Sequence, residues 1–195
     1  MGRGDTVAAA GAPPAPAAGD GRGSERYHWV AILLHWVIAA LIFGQFALGW
    51  YMVDLPKGPD RSYFFALHKS LGLTAAMLIA LRIAWRLTHP APVLPATFPA
   101  WKIRAAALNH RLLYLCMVLM PLSGYLSSSF TPYPMKFFGL PFPKLGWAHE
   151  LVNQIFTTIH VTTSYAFIVL IVVHVAAAVQ HLLRRDGVFS RMLFP

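Results

Sequence analysis

Four long apolar stretches, few charges and histidines set inside the apolar stretches predict an all-α membrane protein, a bundle of four transmembrane helices. Of the 195 residues, 57% are hydrophobic and only 12% charged, where a soluble domain carries roughly 25% charged residues. The stretches fall at about 29–50, 63–85, 112–130 and 155–183, each near the roughly 20 residues that a helix needs to cross ~30 Å of hydrocarbon.

The connections are rich in proline, at 54–60, 89–99 and 131–143, and they stop the helices between spans. Pro121 and Gly124 fall inside the third span and predict a kink there, tolerated where neighbouring helices cover the freed carbonyls. Residues 1–26 are Ala, Gly and Pro with scattered charges, a composition too poor in apolar surface to offset its ordering entropy, and they read as a disordered tail. That tail lacks a signal peptide's apolar core, so the first span is expected to serve as an uncleaved anchor. Residues 27–195 then form a single four-helix domain with no internal repeat.

Lys and Arg in the flanks set the orientation. One side collects Arg3, Arg22, Arg26, Arg82, Arg86, Lys102, Arg104, Arg111, Arg184, Arg185 and Arg191; the other has only Lys57, Arg61, Lys69, Lys136 and Lys144. Both termini are therefore expected in the cytoplasm. The net charge of +9 arises at the ends of apolar segments and forms no continuous stripe, so it reads as topology and not as nucleic-acid binding. Trp29, Trp50, Trp85, Trp101 and Trp147 fall near the predicted interfaces, as an aromatic belt does. The single cysteine, Cys116, allows neither an intrachain disulfide nor a C-x-x-C-H haem attachment site.

Nine histidines are present, and His35, His68, His160 and His174 lie at interior depths of the spans. An ionisable side chain in hydrocarbon is costly and marks a functional site by default. His160 and His174 are fourteen residues apart on the fourth span, nearly four turns and ~21 Å, so they share a face and cannot share an ion. Each needs a partner on another helix. Counted from the flanking charges, His174 matches His35 near the cytoplasmic side, and His160 matches His68 near the outer side.

Two such pairs, His35–His174 and His68–His160, are the arrangement that holds two low-spin haems with no open coordination position, each bound by its axial ligands alone. Arg82, fourteen residues after His68, falls on the His68 face at the depth of the inner pair, where a guanidinium can meet a haem propionate. Gly72 and Gly49 lie on the ligand faces, where the lack of a Cβ lets a porphyrin approach. The remaining histidines are read as shallow (His28, His110, His181) or in loops (His89, His149), Lys69 as a snorkelling anchor, and Cys116, Met117 and Met120 as packing.

Taken in order, several segments resemble the bacterial cytochrome b561 family. They are Leu34-His35-Trp36, Leu67-His68 with Gly72, and Leu81 to Leu87 followed by His89-Pro90. Asn109 to Tyr114 with Pro121 and Gly124, Ile159-His160, and Val173-His174 to Ala178 with His181 complete the set. The resemblance covers about 27–195 and implies a di-haem b protein of the bacterial inner membrane that exchanges electrons with quinone, some members oxidising superoxide and reducing ubiquinone. Carried over by position, the ligands it implies are His35, His68, His160 and His174.

The leading expectation is thus an enzyme that oxidises superoxide or another small reductant at the outer face and reduces membrane quinone; no catalytic residue is assigned. The outer loops set Lys57, Arg61, Lys69, Lys136 and Lys144 against Asp54, Asp60 and Glu150, a weakly positive balance suited to a small anion. The alternative is an electron-relay and anchoring subunit for a redox partner protein such as a hydrogenase, a formate dehydrogenase or a c-type cytochrome.

Overall fold

The computed structural model of the chain describes residues 26–90, 92 and 98–193. The tail expected over 1–26 lies outside them except for Arg26. Four long helices account for most of the described chain: α1 Trp29–Asp54, α2 Pro59–Thr88, α3 Ala100–Ser129 and α4 Glu150–Arg184. All four are long and apolar enough to cross a membrane.

Local chemistry sets their ends. His28 caps α1 and His149 caps α4, each ring Nδ1 accepting a backbone N–H, from Val30 at 3.3 Å and from Val152 at 3.4 Å. α2 opens on Pro59, whose missing N–H is an orphan donor at that position anyway. Asp60 in its first turn and Arg86 in its last complement the helix dipole. α4 ends where Arg185 takes a left-handed conformation at φ 54°.

The largest departure from the apolar spans is at the start of α3. α3 starts at Ala100 and not near 112, because its first three turns hold Lys102 and Arg104 among the strong helix formers Ala105, Ala106 and Ala107. Hydropathy reads only the part of a helix that sits in hydrocarbon. α3 also continues as one helix through Pro121. Before α4 comes a small antiparallel hairpin, β1 Lys136–Phe137 with β2 Leu140–Pro141. Its turn places Phe138 at φ 47° and Gly139 at φ 89°, as a two-residue hairpin loop of the primed type requires. The Phe138 N–H donates to Ser70 Oγ at 2.9 Å and ties the hairpin to α2.

Consecutive helices run in opposite directions. His28 at the start of α1 meets Trp85 near the end of α2, Tyr51 meets Phe64, and Asn153 near the start of α4 donates to Ser127 O near the end of α3 at 2.8 Å. The bundle therefore has a terminal end, where the start of α1, the end of α2, the start of α3 and the end of α4 lie, and a loop end carrying the α1–α2 and α3–α4 connections.

The core is small: Leu34 and Ile38 of α1 interlock with Ala75 and Ile79 of α2, and Met117 of α3 packs against them. Ser70, Ser123, Ser128 and Ser129 are buried, small residues of the kind that let membrane helices approach closely. Large apolar side chains such as Leu33, Phe43, Leu115, Val169 and Val172 point outward, as expected where the solvent is lipid. Backbone packing is close between α1 and α2, α2 and α3, and α3 and α4, whereas α4 stands back from α1 and α2. Phe167 is the one residue of α4 that is fully buried, its ring 5.9 Å from that of Phe46 on α1. That gap between α4 and the α1–α2 pair positions the site.

Candidate functional site

Across the gap, histidines face each other at two levels. His35 of α1 and His174 of α4 lie with ring centres 6.1 Å apart and planes at 69°, near the terminal end. His68 of α2 and His160 of α4 lie with ring centres 6.2 Å apart and planes at 85°, toward the loop end. All four rings are half-buried. The Phe46–Phe167 contact sits between the levels, because Phe167 is seven residues from each α4 histidine.

The loop-end pair is the more fully built. The Nδ1–H of His160 donates to Met120 O at 2.9 Å and lies 3.3 Å from Ser123 Oγ. Ser123 Oγ in turn donates to Leu119 O at 2.6 Å. With Nδ1 engaged as donor, Nε2 is left as the free lone pair of the ring. Gly124 makes room for this: a Cβ there would stand 3.1 Å from the His160 ring. Gly49 faces His68, with a notional Cβ 3.6 Å from its ring. His68 Nδ1 is buried and finds no hydrogen-bond partner among the described residues.

A cavity of about 590 Å³ opens beside this pair, lined by His68, His160, Gly49, Gly72, Gly124 and Lys69 among others. Gln45 reaches across its wall, its side-chain amide donating to His68 O at 3.0 Å while its Oε1 is buried without a partner. Gly72 serves this residue, since a Cβ there would stand 3.1 Å from Gln45 Nε2. The expected porphyrin approach at Gly72 is thus occupied by an amide.

At the terminal end Arg82 of α2 donates from Nη1 to Ala31 O of α1 at 3.0 Å, and its charge lies close to His35, His110 and His174. His110 departs from its expected shallow role, for its ring stands 5.3 Å from that of His174. Because α3 starts twelve residues early (Ala100 against 112), His110 is three turns inside the helix. The other histidines serve the ends of helices. His28 and His149 are caps, and His89 stacks on Trp85 with ring centres 3.9 Å apart. His181 Nδ1 bonds Asp186 Oδ2 at 2.6 Å beyond the end of α4. Cys116 is buried and unpaired.

Among the described residues no cluster of three or more His, Cys, Asp or Glu side chains is arranged to hold a metal. The site offers pairs, and a metal bound there has to arrive with the rest of its ligands.

This fold and site define a multi-pass membrane protein with imidazoles paired at two depths. The family model for prokaryotic cytochrome b561 matches residues 26–195. The chain is similar to "Cytochrome b561 homolog 2" of Escherichia coli (strain K12), 32% identical with 87% of this chain and 92% of the relative covered. Similarity extends to "Cytochrome b561 homolog 1" of the same organism, 25% identical with 86% and 97% covered. It extends also to "Probable superoxide oxidase CybB" of Yersinia pestis, 24% identical with 87% and 96% covered. The chain belongs to the prokaryotic cytochrome b561 family. Membership makes it a multi-pass bacterial membrane protein of electron transfer that binds haem b.

Proposed function

We propose that the chain is a di-haem b cytochrome of the bacterial inner membrane, with both termini in the cytoplasm and residues 27–195 acting as one electron-transfer domain. In this reading it takes electrons from superoxide or another small reductant at the loop end and delivers them to membrane quinone. The observation that carries it is the pair of facing imidazoles at two depths across the α4 gap.

The residues fit the group. A metal held about 2 Å from each of two imidazole nitrogens sets the ring centres roughly 6 Å apart, close to the 6.1 Å and 6.2 Å found. Each pair would supply two imidazole ligands and no more, which suits a metal that arrives within a macrocycle. His35 and His174 hold the terminal-end haem, and His68 and His160 the loop-end haem. Haem b between two imidazoles supplies one-electron redox chemistry at an iron with no open position. The Met120 carbonyl fixes the proton of His160 on Nδ1, which leaves Nε2 as the atom that would bind the iron. The cavity walls are mainly apolar, and the Phe46–Phe167 contact lies between the two levels.

Superoxide as donor rests on the name of one relative and on the lysines at the loop end. The reading is tested on the purified, oxidised protein. A pyridine haemochrome assay is expected to give about two haems per polypeptide, all extractable by acid acetone because the sequence has no C-x-x-C-H attachment motif. Stopped-flow mixing with superoxide is expected to reduce the haem bands within the mixing experiment. A ratio near one sinks the di-haem assignment. A silent stopped-flow trace with two haems present moves the donor to another reductant or to a redox partner protein.

Arg82 is assigned to the terminal-end haem. Its Nη1 bonds Ala31 O, which leaves its other donors free for a propionate, and its positive charge favours the reduced state of a nearby iron. Arg82→Gln is expected to lower the midpoint of that haem alone by tens of millivolts, on the scale where ~59 mV is tenfold for one electron, with haem content kept. An unchanged titration of both haems assigns Arg82 to the membrane interface only.

A further inference from the structure

Lys69 and Lys144 form an unexplained feature at the loop end. Lys69 follows His68 on α2, is half-buried and lines the same cavity as the loop-end imidazoles. Side chains on a helix lean toward its N-terminus, which for α2 is the loop end, so the Lys69 ammonium is carried that way. Another ammonium lies within electrostatic reach. Lys144 is close enough to act on Lys69 electrostatically, and it is also half-buried. Its Nζ donates to Thr131 O and, at 3.4 Å, to Tyr133 O, both residues of the cavity wall.

Two half-buried ammonium groups within electrostatic reach of each other beside an apolar cavity repel, and burial strengthens the repulsion. Neither meets a carboxylate among the described residues: Lys144 reaches only carbonyls, and no acceptor bonds Lys69. An anion between them removes the repulsion and satisfies Lys69. Haem b carries two carboxylates on one edge of the ring, and the cavity that Lys69 lines, with Lys144 bonded to Thr131 and Tyr133 of its wall, is the one the loop-end imidazoles line.

We propose that Lys69 and Lys144 bind the propionates of the loop-end haem and so fix that haem with its carboxylate edge toward the loop end. The proposal rests on the di-haem reading above and adds which way the haem faces and what holds it there. It gives Lys69 a role in binding, where the sequence suggests a membrane anchor.

The test follows haem release from the detergent-purified holoprotein to excess apomyoglobin, with the loop-end haem identified as the component missing in His68→Ala. Lys69→Met is expected to release that haem about tenfold faster, the scale of one charge-assisted hydrogen bond, and Lys144→Gln to speed it less. Lys69→Arg should restore slow release, and the terminal-end haem should be unaffected throughout. The protein reconstituted with haem dimethyl ester supplies the decisive arm. With no carboxylates to hold, wild type and Lys69→Met should release the ester at the same rate.

Equal release of natural haem from wild type, Lys69→Met and Lys144→Gln overturns the proposal. So does a difference that persists with the ester, since the ammonium groups then serve another anion, such as a small anionic substrate. If the wild-type protein holds only one haem, the di-haem reading fails, and if His68→Ala keeps both haems, the assignment of His68 as a ligand fails; either failure is distinguishable because it appears before any lysine is changed.

Discussion

Replacing His68 or His160 by alanine is expected to bring the haem content of the purified protein from about two per chain to about one, and His35→Ala or His174→Ala to remove the complementary haem. The rings face each other in these two combinations at 6.2 Å and 6.1 Å, and His160 and His174 are too far apart along α4 to exchange partners. Loss of one imidazole leaves a haem held by a single protein bond, which detergent extraction removes. Redox titration of each variant checks the pairing: the component lost in His68→Ala must be the one lost in His160→Ala. If His35→Ala and His68→Ala lost the same component, the pairing by depth would be wrong.

His110 makes that test sharper. Its ring is only 5.3 Å from that of His174, short of the roughly 6 Å that an iron between two imidazoles requires, whereas His35 stands at 6.1 Å. His110→Ala should therefore keep both haems and shift only the potential of the one at the terminal end. Haem loss in His110→Ala together with retention in His35→Ala would exchange the two as partners of His174.

The sequence makes the spans legible because each is an apolar run of the length a bilayer demands, and it makes the histidines legible because an imidazole in hydrocarbon is too costly to be incidental. Depth counted from Arg26, Arg61, Glu150 and Arg184 selects the same partners that face each other across the gap. What supports the histidines is less visible. No single-helix pattern announces that Gln45 reaches the His68 carbonyl, that the Met120 carbonyl accepts from His160, or that Gly72 makes room for an amide. Those are contacts between helices, set by rotation and crossing that hydropathy does not encode. His110 is misjudged for a related reason. Apolarity begins near 112 while the helix begins at Ala100, so a residue placed at the mouth of a helix is in fact well inside it.

Gly124→Val is expected to abolish the loop-end haem while leaving the terminal-end haem in place. A Cβ at Gly124 falls 3.1 Å from Cε1 and 3.2 Å from Nδ1 of His160, so any side chain requires the ring to give way. The ring is not free to do so without loss, because Nδ1 is bonded to Met120 O, and Met120 and Gly124 share one helix. A single methyl asks for a shift of a few tenths of an ångström, and a ligand must be held within about 0.5 Å of its productive position. Gly124→Ala should therefore keep the haem but release it about tenfold faster, an effect the size of one hydrogen bond to the ring. The two γ-methyls of valine extend the clash beyond what the ring can absorb. A control separates this from general damage to a helix. Gly44 of α1 has nothing within 4 Å. Gly44→Val should retain two haems with unchanged release, and retention of two haems by Gly124→Val would mean that the position of His160 is not set by α3.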